Sequence, residues 1–156
     1  MELETLIEKC IQNNREAQRS LYYKYKDSLY TIAYRITADF DASSDLLQEC
    51  FIEVFKNLNK LKEKKFFYSW AKKILIRKAY KYLDKQVPTE DILEANKMTS
   101  FSRSNLDAEY IEHAIQSLSK KSRTVFIMYE VEGFSHKEIA DTMDISIGTS
   151  KSQLNY

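Results

Sequence analysis

Two glycines, Gly133 and Gly148, and one proline, Pro88, are all that 156 residues carry of the residues that bend a chain most sharply. Strands need frequent turns, and turns draw on glycine and proline. A chain this poor in both has one economical solution, which is helix throughout. A hydrophobic fraction of 44% with 30% charged residues supplies the apolar faces that helices need to pack, and excludes a disordered chain. The length suits one ordinary domain or two small ones.

Apolar spacing places the helices. Leu3, Leu6, Ile7 and Cys10 recur at i, i+3, i+4, i+7 and predict a short opening helix ending near Asn13-Asn14. Tyr22, Tyr25, Leu29, Ile32 and Ile36 alternate steps of three and four, predicting a long helix over 15–38. After a polar turn at 39–44, a third helix over 44–58 buries Leu47, Cys50, Phe51, Val54 and Leu58. A lysine-rich connector, 59–65, leads to a fourth helix over 67–85. Between 86 and 106 the pattern dissolves into Thr, Ser, Asn and scattered charge around Pro88, which reads as an interdomain linker. Periodicity returns with Ile111, Ala114, Ile115 and Leu118, then with a helix capped by Ser119, containing Val125, Phe126 and Tyr129, and ended by Gly133. The expected organisation is all-α: a four-helix domain at 1–85, a flexible linker at 86–106 and a second helical domain at 107–156.

The last stretch carries a recognisable motif. Ser135 with Glu138 three residues on forms a capping box for a helix holding Ile139, Ala140 and Met143 on one face. Asp144-Ile145-Ser146 breaks that helix, and Ser146 caps a second one from about Ile147. Helix, tight turn and helix make a helix-turn-helix, whose second helix enters the DNA major groove.

Charge points to the same class of partner. Between Lys60 and Lys85 ten basic residues face only Glu63 and Asp84, a net of +8, which leaves −7 for the rest of a chain whose total is +1. Phosphates respond to the local field rather than to the total. On the fourth helix Lys73, Arg77 and Lys81 stack at i, i+4, i+8 with Lys78 and Lys85 adjoining, a track for phosphates. Phe66, Phe67, Tyr68, Trp70 and Tyr80 lie beside it and can stack on unpaired bases. The same spacing also describes a solvated lysine face above an aromatic core. The third helix has the opposite sign: Asp45, Gln48, Glu49, Ile52, Glu53 and Lys56 share its outer face, a pattern that suits either solvent or a basic protein partner.

Taken together, DLLQECF at 45–51, FFYSWAKKILIRKAYKYL at 66–83 and LSKKSRTVFIMYEVEGFSHKEIADTMDISIGTSKSQL at 118–154 resemble regions 2 and 4 of bacterial sigma factors. The order and spacing are similar to the small extracytoplasmic-function (ECF) group of the sigma-70 family, over nearly the whole chain. The resemblance implies that Asp45, Gln48, Glu49, Phe51 and Ile52 mark the face that docks on the clamp helices of the RNA polymerase β′ subunit, while region 4 meets the β flap. It implies that 61–66, with Lys62, Lys64, Lys65 and Phe66, forms the loop receiving a flipped −10 base. Trp70, Lys72, Lys73, Arg77, Lys78 and Lys81 then face the melted −10 strand. Thr149, Lys151, Ser152, Asn155 and Tyr156 would face the −35 element, with Leu154 inward and Arg123 reaching a phosphate. An anti-sigma factor is a further implied partner.

Departures from that pattern are specific. Arg77 and Lys81 stand where many relatives have Asn and Asp, Ser119 replaces a common Pro, and Asp144 stands at a frequent turn Gly. Ser150 and Gln153 replace an apolar residue and an Arg, and the usual basic turns after Tyr156 are missing. The expected function is a sigma factor that brings polymerase to promoters and opens them; an ordinary helix-turn-helix regulator or a helical adaptor are the alternatives. No nucleophile–base pair, phosphate loop or metal-ligand cluster is visible, so no enzyme, cofactor or metal is expected. Cys10 and Cys50 read as reduced core thiols, Glu2 and Glu4 stand where a basic leader would be, and no apolar run is long enough to span a membrane, all pointing to the cytoplasm.

Overall fold

The computed structural model describes residues 1–86 and 107–154, the side chains of 107 and 108 excepted. No strand occurs among the described residues. The helices are α1 (Leu3–Ile11), α2 (Arg15–Thr37), α3 (Phe40–Asn57), α4 (Phe67–Asp84), α5 (Asp107–Ser117), α6 (Lys120–Phe126), α7 (His136–Met143) and α8 (Ile147–Leu154). Short 3₁₀ turns at Leu58–Lys60 and Lys64–Phe66 occupy the connector before α4. The described residues form two compact units, Met1–Tyr34 with Asp39–Lys78, and Arg35–Ala38 with the chain from Ala79 onward. The last turns of α2 and α4 thus belong to the second unit. The expected linker, 86–106, lies outside the described residues except for Gln86.

With so little glycine, other residues take the left-handed backbone at helix ends. Asn13 (φ 63°) ends α1, and the Asn14 side chain accepts from Ala17 N at 3.0 Å to start α2. Ala38 (φ 57°) ends α2, and Asp39 accepts from Ala42 N at 3.0 Å. That cap starts α3 at Phe40, four residues earlier than apolar spacing indicates, because a cap is local chemistry that the buried stripe does not report. Ser119 caps α6, and the box of Ser135 and Glu138 caps α7. Asp144 sits at φ 56°, the left-handed conformation expected where a glycine is common.

The first unit closes around one face of α4. Phe67, Ala71, Ile74, Leu75 and Ile76 are buried with Leu21, Leu29 and Ile32 of α2, Leu47, Cys50, Phe51 and Val54 of α3, and Ile7 of α1. Aromatic contacts join the layers: Tyr22 meets Phe51 edge-on at 4.8 Å between ring centres, and Tyr25 lies tilted 5.2 Å from Phe67 and stacked 5.1 Å from Tyr68. All five residues expected to be buried on α3 and at its end are buried.

The second unit packs α7 against α8 and α8 against α6 around Val125, Ile127, Met128, Phe134, Ile139 and Met143. After Phe126 the helix widens into one π turn, Ile127–Val131, where Glu132 N reaches Ile127 O at 2.9 Å. Gly133 (φ 76°) then turns the chain toward α7.

Both cysteines are buried and unpaired in any disulfide. Burial pushes the Cys10 thiol up to about 11 and the Cys50 thiol up to about 12, the latter despite Lys78 and Arg77 nearby, which pull it down. At pH 8 the folded protein should therefore leave an aromatic disulfide reagent unreacted for as long as it stays folded, and both thiols should titrate at once in denaturant; rapid labelling of the native chain would contradict this packing.

Candidate nucleic-acid interface and docking face

On α3 the buried stripe forces its opposite face into water. Asp45, Gln48, Glu49 and Ile52 are all exposed there, Ile52 to 69% of its surface. Ile52 is thus a large aliphatic side chain in water amid two carboxylates and an amide. Phe51, assigned to this docking face by the resemblance, is instead buried beneath it at 4% exposure against Tyr22. It supports the face from inside. Glu53 also leaves the acidic strip: it is half-buried and turned toward α4.

The basic residues of the first unit lie against both aromatic rings and carboxylates. Lys62 is exposed in the connector, and Phe66 is 54% exposed with Lys65 Nζ 5.0 Å from its ring centre. Lys72 Nζ lies 4.2 Å from the Tyr68 ring centre, and Lys73 and Trp70 are half-buried, Trp70 tilted against Phe67. These groups offer cations and ring faces along one helix and its approach. Carboxylates hold several of the cations. Lys64 Nζ donates to Glu8 of α1 at 2.9 Å, which ties the connector to the opening helix. Lys65 lies 3.4 Å from Glu63. One terminal nitrogen of Arg77 donates to both oxygens of Glu53, at 3.1 and 3.2 Å, and Lys78 reaches the same carboxylate at 3.4 Å. Glu8 and Glu53 are absent from the expected site residues, because their pairing joins residues 56 and 24 positions apart and no local spacing encodes it. Lys81 is exposed at the end of α4 and belongs to the second unit.

In the second unit α8 starts on Ser146, whose Oγ accepts from Thr149 N at 3.0 Å and lies 2.8 Å from Thr149 Oγ1. Lys151 and Ser152 are exposed on the same helix, Ser152 donating back to Thr149 O at 2.9 Å. Asn155 and Tyr156 lie outside the described residues. Arg123 departs from its expected phosphate role: it is 1% exposed, and its guanidinium donates inward to Leu118 O at 3.2 Å. A charge so desolvated is a structural donor here and is not offered to DNA.

The two polar replacements in α8 are both matched inside the unit. Ser150 is fully buried and lies 2.8 Å from His136 Nδ1, with the His136 ring stacked 4.4 Å from Tyr129. Gln153 Oε1 accepts from Ser122 Oγ at 2.6 Å. An apolar cleft of about 370 Å³ opens beside Gln153, lined by Tyr110, Ile111, Ala114, Leu118, Phe126 and Leu154. Leu154, expected to pack inward, is half-buried and lines this cleft. Apolar spacing does not reveal the cleft, since its walls come from three separate helices.

Among the described residues there is no group of three or more His, Cys, Asp or Glu placed to hold a metal ion, and no helix is long and apolar enough to cross a membrane. The chain matches the family model described as Sigma-70 region 2 over residues 21–89 and that described as Sigma-70, region 4 over residues 108–155. It is similar to the ECF RNA polymerase sigma-E factor of Haemophilus influenzae, 26% identical with 97% of this chain and 88% of the relative covered. It is likewise similar to the RNA polymerase sigma-H factor of Pseudomonas aeruginosa, 27% identical with 96% and 86% covered. Its fold is similar to that of the sigma factor RpoE solved with the anti-sigma factor NepR from Bartonella quintana, with a TM-score of 0.61, 19% identity, and 88% and 89% of the two chains covered. CnrH, solved with the cytosolic domain of CnrY, gives a TM-score of 0.58 at 17% identity, with 98% and 90% covered. With both signature regions matched in order, and relatives aligned almost from end to end, the chain belongs to the ECF group of the sigma-70 family of RNA polymerase sigma factors.

Proposed function

We propose that this sigma factor serves transcription initiation through three separate surfaces, each assigned to particular residues. The observation that carries the assignment is the division of labour within the first unit: α3 turns Asp45, Gln48, Glu49 and Ile52 outward, while α4 carries the cations and ring faces. An acidic strip around an exposed Ile suits a basic protein surface with an apolar centre, here the β′ clamp helices of core polymerase. Lys62, Lys65, Phe66, Trp70, Lys72 and Lys73 suit the unpaired −10 strand, whose bases stack on rings and whose phosphates meet cations. In the other unit Thr149, Lys151 and Ser152 on α8 suit the −35 duplex, read from the major groove.

The domain plan is region 2 at 1–85, a linker at 86–106 and region 4 at 107–156. Two weak DNA contacts held on one polymerase raise each other's effective concentration, so neither unit has to bind tightly alone. Capture of unpaired −10 bases offsets the cost of unstacking them, which lets opening proceed without catalytic chemistry in this chain. The protein is therefore a binding factor and not an enzyme, acting in the cytoplasm. The apolar cleft beside Leu154 and Gln153 has the size and character to take an apolar helix face, and we assign it to the β flap. An anti-sigma factor is a further partner, since both structural neighbours described above were solved with a protein bound, NepR in one and CnrY in the other.

The full chain added to core polymerase should direct promoter-dependent transcripts that core alone does not make; the absence of both core binding and such transcripts would end this reading. Reversing Asp45 and Glu49 together to Lys should weaken core binding by about tenfold or more while the helical circular dichroism stays unchanged. Unaltered core affinity would remove the docking role from this face. Lys151→Ala should weaken −35 duplex binding and flatten its salt dependence by about 0.9 in log–log slope, the share of one phosphate contact. An effect confined to single strands would move Lys151 off the duplex.

A further inference from the structure

Arg77 lies on the helix assigned to the −10 strand, so its setting bears on how this chain treats DNA. Both of its hydrogen bonds to Glu53 leave from one terminal nitrogen, and Lys78 approaches the second oxygen of the same carboxylate. The three side chains are 41%, 29% and 25% exposed for Arg77, Glu53 and Lys78, so the cluster sits at the surface but is partly desolvated. Glu53 lies four residues from Glu49 on α3, yet its side chain is drawn off the acidic strip and laid against α4. Two cations hold it there.

We infer that Glu53 is an internal counter-ion that withholds Arg77 and Lys78 from indiscriminate phosphate contact, and so limits the non-specific single-strand affinity of the basic helix. The inference rests on the assignment of α4 to unpaired DNA. A cation already paired with a carboxylate releases fewer bound counter-ions from DNA than one facing water, and a phosphate that approaches it meets the carboxylate charge as well. Lys72, earlier on the helix, lies over the Tyr68 ring. Aromatic rings thus stand near the start of α4, and the Glu53 carboxylate restrains Arg77 and Lys78 further along. Strand capture then depends more on the bases held by rings and less on phosphate attraction, which every sequence offers equally. Glu53 acts through Arg77 and Lys78 and is a positioning residue.

The test titrates the full chain, alone and bound to core polymerase, with a labelled oligothymidylate over a series of salt concentrations. Glu53→Gln, which keeps the shape and removes the charge, should bind roughly five- to tenfold more tightly at low salt. Its log–log salt slope should steepen by up to about 1.4, about 0.7 for each cation released on a single strand. Adding Arg77→Gln and Lys78→Gln to Glu53→Gln should cancel the gain, which a merely structural role for Glu53 would not do. Glu53→Asp, with its carboxylate drawn back by one methylene, should shift affinity in the same direction by less, and serves if Glu53→Gln folds poorly. Lys73→Ala is the control for the assignment of α4. If Lys73→Ala weakens binding while Glu53→Gln and Glu53→Asp leave affinity and slope unchanged, the counter-ion role is overturned and the −10 assignment stands. If none of the variants alters binding, the −10 assignment falls and the counter-ion role with it.

Discussion

Desolvation of one face of α4 is the constraint on which the first unit depends. Phe67, Ala71, Ile74 and Leu75 can leave water only if that helix is rotated inward, and the rotation fixes what the rest of the helix displays. Lys72, Lys73, Arg77 and Lys78 are thereby set on its flank, where Tyr68 and Glu53 meet two different subsets of them. Apolar burial, a non-directional force, ends up specifying the direction of a row of charges. The same logic acts on α3, where burial of Leu47, Cys50, Phe51 and Val54 leaves Ile52 no position except in water.

Helix ends are handled by side chains in place of glycine. Asn13, Ala38 and Asp144 all take positive φ, and Asn14, Asp39, Ser119, Ser135 and Ser146 supply the acceptors that exposed helix N-termini need. These devices are readable where they form a motif, as with Ser135 and Glu138, or where the residue is suited to the turn, as with Asp144. Asp39 is less visible, because it lies upstream of the apolar stripe from which the start of α3 is read, and that stripe suggests too late a start. The π turn at Ile127–Val131 has no signature in apolar spacing at all, since one extra residue per turn leaves the buried set Val125, Ile127 and Met128 looking helical.

The candidate sites are legible to the extent that they follow from one helix at a time. Asp45, Gln48, Glu49 and Ile52 share a face by spacing alone, and Lys151 and Ser152 are exposed by the same argument. What spacing cannot supply is which helix lies opposite. Arg123 reads as a surface cation from its charge, yet the carbonyl of Leu118 receives it and the protein covers it. Phe51 carries two messages, apolar residue and member of a docking signature, and its packing on Tyr22 settles in favour of the first. The carboxylates of Glu8 and Glu53 are ordinary in the sequence and acquire their role only through tertiary pairing.

Ser150 and Gln153 look like losses when α8 is compared with the family pattern, yet each has a mate on another helix, His136 on α7 and Ser122 on α6. Recognition helices are often treated as exchangeable parts, whose outer residues define specificity and whose inner residues are generic. Here the inner residues are keyed. A chimera that carries a relative's recognition helix on this scaffold would replace Ser150 by an apolar side chain, leaving His136 Nδ1 without its partner, and Gln153 by Arg, which removes the acceptor that the Ser122 hydroxyl now donates to and turns that hydroxyl into an acceptor. For this protein the interchangeable module is the trio α6, α7 and α8, moved together, rather than α8 alone.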